Sequence, residues 1–197
     1  YNLSSLFQSI NINSNKIKII ENRNSYNFEG DISNQKGKID LSKFSTFLNE
    51  NMRNIVREEL TISSNNKFTF KLNKKIKFSD INIQSKVILE EFRYSNDIFK
   101  RFFPGYKKDI NFEKNSITID YNNGDYQING KSKININGDI DDTNYSIKKI
   151  KKDFFYNFNF ELINSAVNFK ILNYTKNKDD KSSLELSGKY SASNNIN

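Results

Sequence analysis

The chain has 197 residues, of which 36% are hydrophobic and 27% charged, and a formal net charge of +8. It contains no cysteine and no histidine, which excludes disulfides, thiolate or imidazole metal sites and a Ser-His triad within it. The 17 Phe and 10 Tyr argue against a disordered chain, while the abundance of Asn, Ile and Lys reflects A/T-only codons, so the basic balance is poor evidence for nucleic acid and no nucleic-acid partner is expected.

In chain order, the dominant signal is apolar residues at every second position, the period of a strand with one apolar face. Ile17 and Ile19 begin it, Tyr26, Phe28 and Ile32 continue it, and Ile39 and Leu41 follow Gly37. Phe44, Phe47, Leu48, Met52, Ile55, Val56 and Leu60 then fall at helical spacing after Ser42, a capping residue, and predict an amphipathic helix over about 43–60. Alternation returns with Phe68, Phe70 and Leu72, then Ile76 with Phe78, Ile81 with Ile83, and Val87 with Leu89. A second short helix is expected from Asn96 to Phe103, ended by Pro104, the only proline, and Gly105.

Ile117, Ile119 and Tyr121 lead into Asn122, Asn123, Gly124 and Asp125, after which Tyr126 and Ile128 resume the pattern. Asn and Gly accept the positive φ of tight hairpin turns, so this is a hairpin. Ile134, Ile136 and Ile140 extend the meander, with Gly138 interrupting the polar face. Phe158, Phe160 and Leu162 are expected to pair with Val167, Phe169 and Ile171 across Asn164 and Ser165, and a last strand carries Leu184, Leu186 and Tyr190 beyond the charged loop Lys176 to Lys181.

These elements predict a mainly β fold: a long antiparallel meander with one or two short amphipathic helices. About 25 helical residues are too few to cover such a sheet, so it is expected to curl over its own apolar side. Without closure, the result is an open U-shaped groove; with closure or self-packing, it is a β-barrel or β-sandwich. The candidate lining of the groove is Phe68, Phe70, Leu72, Ile81, Ile83, Ile117, Ile119, Tyr121, Tyr126, Ile128, Ile134, Ile136, Phe158, Phe160, Leu162, Val167, Phe169 and Ile171. Such a trough suits acyl chains, because each buried methylene contributes about 0.8 kcal/mol.

Catalytic signals are weak. Glu58 with Glu59, Glu90 with Glu91 and Asp179 with Asp180 are adjacent, so on strands they point to opposite faces and cannot share a proton. Asp139, Asp141 and Asp142 read as a turn, because a calcium loop counted from Asp139 would need Gly and Glu where Asn144 and Ile150 stand. Gly130, Lys131 and Ser132 imitate the end of a phosphate loop whose first Gly is missing at Asp125. No cofactor, metal or catalytic residue is expected. Lys74 with Lys75, Lys107 with Lys108, and Lys148, Lys149, Lys151 and Lys152 guard sheet edges or meet anionic headgroups.

One local order is familiar. Phe102, Phe103, Pro104 and Gly105 are followed by Lys107, Lys108 and Asp109, then Ile110, Asn111 and Phe112, the Ile117 to Gly130 hairpin, Phe158 to Leu162, Val167 to Tyr174, and Leu184 to Gly188. Over about residues 99–190 this resembles the AsmA-like/YhdP-like envelope proteins of Gram-negative bacteria, especially AT-rich alphaproteobacterial members. The resemblance implies that residues 1–197 are a fragment of a larger β-groove protein, a long sheet folded lengthwise like a taco. It also implies anchoring in the inner membrane by a helix outside this segment, a periplasmic location, and a bridge-like role in moving phospholipids toward the outer membrane. The implied partners are phospholipid acyl chains and the inner membrane. The helix at 43–60 departs from that pattern.

Overall fold

The computed structural model describes residues 3–7, 10–40, 59–95, 97–106, 109–170 and 173–191. Thirteen strands are found there: β1 (Leu3–Phe7), β2 (Ile10–Ser14), β3 (Ile17–Asn22), β4 (Ser25–Asp40), β5 (Glu59–Asn73), β6 (Phe78–Tyr94), β7 (Ile110–Asn122), β8 (Asp125–Ile136), β9 (Asp139–Ile150), β10 (Asp153–Leu162), β11 (Val167–Phe169), β12 (Tyr174–Lys176) and β13 (Ser182–Ser191). Eleven form one antiparallel sheet in the order β1-β2-β4-β5-β6-β7-β8-β9-β10-β13, with β3 beside β2 on the outer edge of β4. β11 and β12 pair only with each other.

The sheet is an open meander, as the alternation predicts. Its outer strands β1 and β13 are not hydrogen-bonded to one another, so it is not a closed barrel, and among the described residues no second sheet of comparable size packs on it as in a sandwich.

Short turns set the register. Between β7 and β8, Asn122 faces Asp125, and the two intervening residues, Asn123 and Gly124, have φ of 48° and 97°. The same arrangement joins β8 to β9, with φ of 57° at Asn137 and 98° at Gly138. Positive φ at both central positions matches the right-handed twist of the flanking strands. Gly138 is therefore a turn residue rather than an interruption of a strand, and the turn reverses parity: Ile136 lies on one face, whereas Ile140 lies on the other and is 40% exposed. Bulges at Asn34/Gly37, Thr69/Lys71 and Glu113/Ser116 interrupt the ladders, and such insertions bend the strand and increase its twist.

Two further expectations are corrected and a third falls outside the described residues. Residues 43–58 of the expected 43–60 helix are not among the described residues, and its last two, Glu59 and Leu60, begin β5. The helix expected from Asn96 is a 3-10 turn over Asp97–Arg101, stopping short of Pro104. β10 does not pair with β11; its partners are β9 and β13, with Phe160 opposite Leu184 and Phe158 opposite Leu186. The loop after β10 is drawn away by Asp141, which accepts its backbone N–H groups at 2.7–3.0 Å, and so cannot make the tight hairpin that Asn164-Ser165 suggests.

The packed core sits at one end of the apolar face. Tyr106, Ile110, Ile134, Ile136, Leu162 and Val167 are buried there, with Phe99, Phe103, Phe112, Phe160, Phe169 and Leu184 around them. Its lid consists of two segments, the 3-10 turn with its following loop and the β11–β12 ribbon, tied by the Asn168 N–H donating to the Phe102 carbonyl at 2.8 Å.

Candidate functional site: the apolar face

Register assigns the two faces. The row Val87, Ile117, Gly130, Tyr145, Phe158 and Leu186 crosses six neighbouring strands, and the next row on that face carries Ile119, Ile128, Ile147, Tyr156 and Gly188. Phe68, Phe70 and Leu72 continue it through β5, facing Gly30, Phe28 and Tyr26 of β4. From Lys67 to Leu72 in β5 and from Ile81 to Gln84 in β6 the apolar side chains are half-buried and the intervening polar ones exposed, as in a sheet with one solvated face.

Of the candidate lining, Phe68, Phe70, Leu72, Ile83, Ile117, Ile119, Tyr121, Tyr126, Ile128, Ile134, Ile136, Phe158, Phe160 and Leu162 share this face, and Ile81 stands two residues before Ile83 in β6. Ile134, Ile136 and Leu162 are consumed by the core. Val167 and Phe169 belong to the ribbon that caps the core, and Ile171 lies outside the described residues. The candidate set omitted Phe28, Val87, Tyr145, Ile147, Tyr156 and Leu186, which stand on the same face. The parity of β9 would have supplied Tyr145 and Ile147 once Asn137-Gly138 was recognised as a turn.

A polar band divides the covered end from the open stretch. At the bulge in β7, Asn115 is 1% exposed; it donates to the carbonyls of Leu89 (3.2 Å) and Phe112 (3.1 Å) and accepts the Ser132 hydroxyl at 2.6 Å. Opposite Ser132, Thr143 donates to the Asn159 carbonyl at 3.0 Å. Beyond that band no described element covers the apolar side chains, and Tyr156, Leu186 and Tyr190 are 43%, 49% and 64% exposed.

The opposite face is polar and contains a depression of about 960 Å³. Its walls are two rows, Glu29, Thr69, Asn82 and Asn122, and Asp31, Lys67, Gln84, Asp120, Gln127 and Lys148, which flank the row Gly30, Phe68, Ile83, Tyr121, Tyr126 and Lys149. Four candidate residues, Phe68, Ile83, Tyr121 and Tyr126, border it. Since both walls project from the polar side, this hollow is not the apolar trough. Exposed ion pairs such as Lys71 with Asp80 (2.6 Å) and Lys189 with Asp153 (2.8 Å) decorate the same face, and pairs of this kind contribute little to stability.

Electrostatics offers little chemistry. Burial raises the Tyr145 phenol above its ordinary value of 10.0. Hydrogen bonds from Lys189 and Ser191 hold the Asp153 carboxyl below its usual value. Among the described residues no three His, Cys, Asp or Glu side chains cluster to hold a metal, and no helix is long and apolar enough to cross a membrane. Asp139, Asp141 and Asp142 diverge: Asp139 pairs with Lys178, Asp141 takes the β10–β11 loop and Asp142 meets Lys133. Gly130, of the phosphate-loop imitation, lies inside β8 beneath the Tyr145 ring.

The lysine pairs also differ from edge guards. Lys74 and Lys75 close the turn between β5 and β6, and Lys151 and Lys152 that between β9 and β10; all four strands lie inside the sheet. Lys107 and Lys108 lie outside the described residues.

No family model matches the chain, and no curated protein or solved structure matches it either.

Proposed function

We propose that the apolar face of this sheet binds phospholipid acyl chains, and that the chain is a segment of a periplasmic AsmA-like protein, anchored in the inner membrane, that conducts phospholipid between inner and outer membrane. The supporting observation is the run of half-exposed apolar rows across β4 to β13, which stops at the Asn115–Ser132 band and has no cover beyond it among the described residues. An exposed apolar surface of that extent is the usual mark of a partner or ligand. Acyl chains suit it because the rows present Ile, Phe and Tyr without charged side chains except Lys149 at one end, whose ammonium donates to the Gly124 carbonyl at 2.7 Å. A chain of a dozen methylenes, at about 0.8 kcal/mol each, would gain on the order of 10 kcal/mol before entropic losses if fully buried. The phospholipid, the periplasm and the two membranes come from the resemblance to AsmA-like proteins. No catalytic residue is involved.

Native mass spectrometry with lipid extraction tests the reading on chain purified from a Gram-negative host. Co-purifying phospholipid is expected. A lipid-free chain whose Ile119, Ile128 and Phe158 resist solvent footprinting would instead make it a structural or adhesive β-module that acts through its surface.

A further inference from the structure

The most exposed large hydrophobic residue described is Ile76, 76% accessible at the tip of the β5–β6 turn, and Phe78 beside it is 60% accessible. Ile76 has φ of 58°, a conformation that a β-branched residue adopts only at a steric cost to its Cβ and that Gly or Asn adopts more readily. The turn imposes it. The Ile76 N–H donates to the Asn73 carbonyl at 2.9 Å, and the Asn73 side-chain oxygen accepts the N–H groups of Lys75 and Lys77 at 2.9 and 3.0 Å. The Asn73 N–H in turn donates to the Lys77 carbonyl at 3.1 Å. A strained apolar residue is thereby fixed outward, where it contributes nothing to the core.

Lys74, Lys75 and Lys77 surround it, all exposed and none paired with a carboxylate among the described residues. Arg23 in the β3–β4 turn and Lys151 and Lys152 in the β9–β10 turn project from the same end of the sheet. Acidic residues pair with lysines at both ends of the sheet, as with Lys71 and Asp80 here or Lys38 and Glu59 at the far end, but among the described residues none pairs with the three lysines of this turn. From the tip an aromatic series leads onto the apolar face: Phe78 lies 5.4 Å from Phe70, which stacks on Phe28 at 4.6 Å and on Phe68 at 5.8 Å.

We propose that the Lys74–Phe78 turn docks this end of the sheet on an anionic lipid bilayer. Ile76 and Phe78 enter the headgroup boundary while Lys74, Lys75 and Lys77 meet lipid phosphates. An apolar tip within a ring of lysines is matched to a surface that is negative outside and apolar beneath. Docking stands on the turn itself; that it delivers acyl chains along Phe78, Phe70 and Phe28 rests on the lipid-binding reading above.

The test is co-sedimentation of the full chain with phosphatidylcholine vesicles, with and without about one third phosphatidylglycerol. Binding is expected only to the anionic vesicles and should fall as salt rises. Ile76→Asn, which removes the apolar tip yet tolerates the backbone conformation, should weaken binding at least tenfold. Replacing Lys74, Lys75 and Lys77 by Gln should weaken it about a hundredfold. Asn129→Asp, on the polar face, should bind vesicles as the unmodified chain does. Retention of a fluorescent fatty acid by the unmodified chain reports the acyl-chain reading separately, so its absence would leave docking intact. Equal binding to both vesicle types, full binding by Ile76→Asn, or loss of binding by Asn129→Asp would each overturn the inference.

Discussion

Asp141 and Lys176 hold one loop from its two sides. The Asp141 carboxylate accepts the N–H groups of Ile163 (2.8 Å), Asn164 (2.7 Å) and Ser165 (3.0 Å), and the Lys176 ammonium donates to the carbonyls of Ile163 (3.0 Å), Ser165 (2.8 Å) and Asn177 (2.9 Å). Each residue is 3% exposed. A buried charge is tolerated when every hydrogen-bonding position is used, and here the partners are backbone groups of the segment that carries the β11–β12 lid.

Removing either grip should loosen the same lid. Asp141→Asn places an amide N–H against backbone donors and should cost about 2–4 kcal/mol; Lys176→Met strands carbonyls and should cost about 2–3 kcal/mol. Because both act through residues 163–165, the double variant should cost clearly less than the two losses added together. Urea denaturation of the four proteins measures this. Strict additivity would show that the two side chains stabilise separate units.

Gly130 and Tyr145 form a second coupled pair. They face each other in the ladder, and a Cβ built on Gly130 would come within 2.1 Å of the Tyr145 ring. Gly130→Ala must therefore lift the ring, at a cost of about 1–3 kcal/mol. It should also relieve the burial that raises the phenol, returning its titration toward 10.0, which ultraviolet absorbance of tyrosinate can follow. The folded form holds this proton more tightly than the unfolded chain, so stability is intact below the unfolded value and falls as pH rises through the folded one. Gly130→Ala should flatten that alkaline decline.

The turn between β9 and β10 offers a gain. Lys151 has φ of 54° in a two-residue connection between Ile150 and Asp153, and its N–H donates to the Asp125 carboxylate at 2.6 Å. Among the described residues the side chain makes no hydrogen bond or ion pair that requires lysine, whereas the backbone disfavours it. Lys151→Gly keeps the N–H and removes the Cβ penalty, and should raise the urea midpoint by an amount corresponding to about 0.5–1 kcal/mol. A loss of stability would mean that the greater freedom of glycine in the unfolded chain dominates.

The strands were legible because one solvated face forces period two, and Asn123-Gly124 was legible because the apolar run switches from odd numbers (Ile117, Ile119, Tyr121) to even ones (Tyr126, Ile128) across it. Asn137-Gly138 has the same chemistry, but Ile134, Ile136 and Ile140 keep even numbers across it, which disguises the reversal and misplaces Ile140. The pairing of β10 was not legible: Asn164-Ser165 reads as a turn, and the side chains that hold it, Asp141 and Lys176, are 22 residues before and 11 residues after their partners. Ile76 looked like one more alternating apolar residue with Phe78. Only its φ and exposure separate it from the face it imitates.

The apolar face makes the functional prediction. Ile128 lies midway along it, opposite Ile119 and Ile147, whereas its neighbour Asn129 lies opposite Thr118 and Ser146 on the polar side. Ile128→Asp puts a carboxylate where an acyl chain would run, and desolvating that charge should lower retention of a fluorescent fatty acid at least tenfold. Asn129→Asp adds the same charge one residue away and on the other face, so it should leave retention unchanged. Because Ile128 is only half-buried, its own cost in stability should stay near 1–2 kcal/mol, and circular dichroism of both variants separates lost binding from lost folding. Equal effects of the two substitutions would mean that net charge, rather than the apolar face, governs retention.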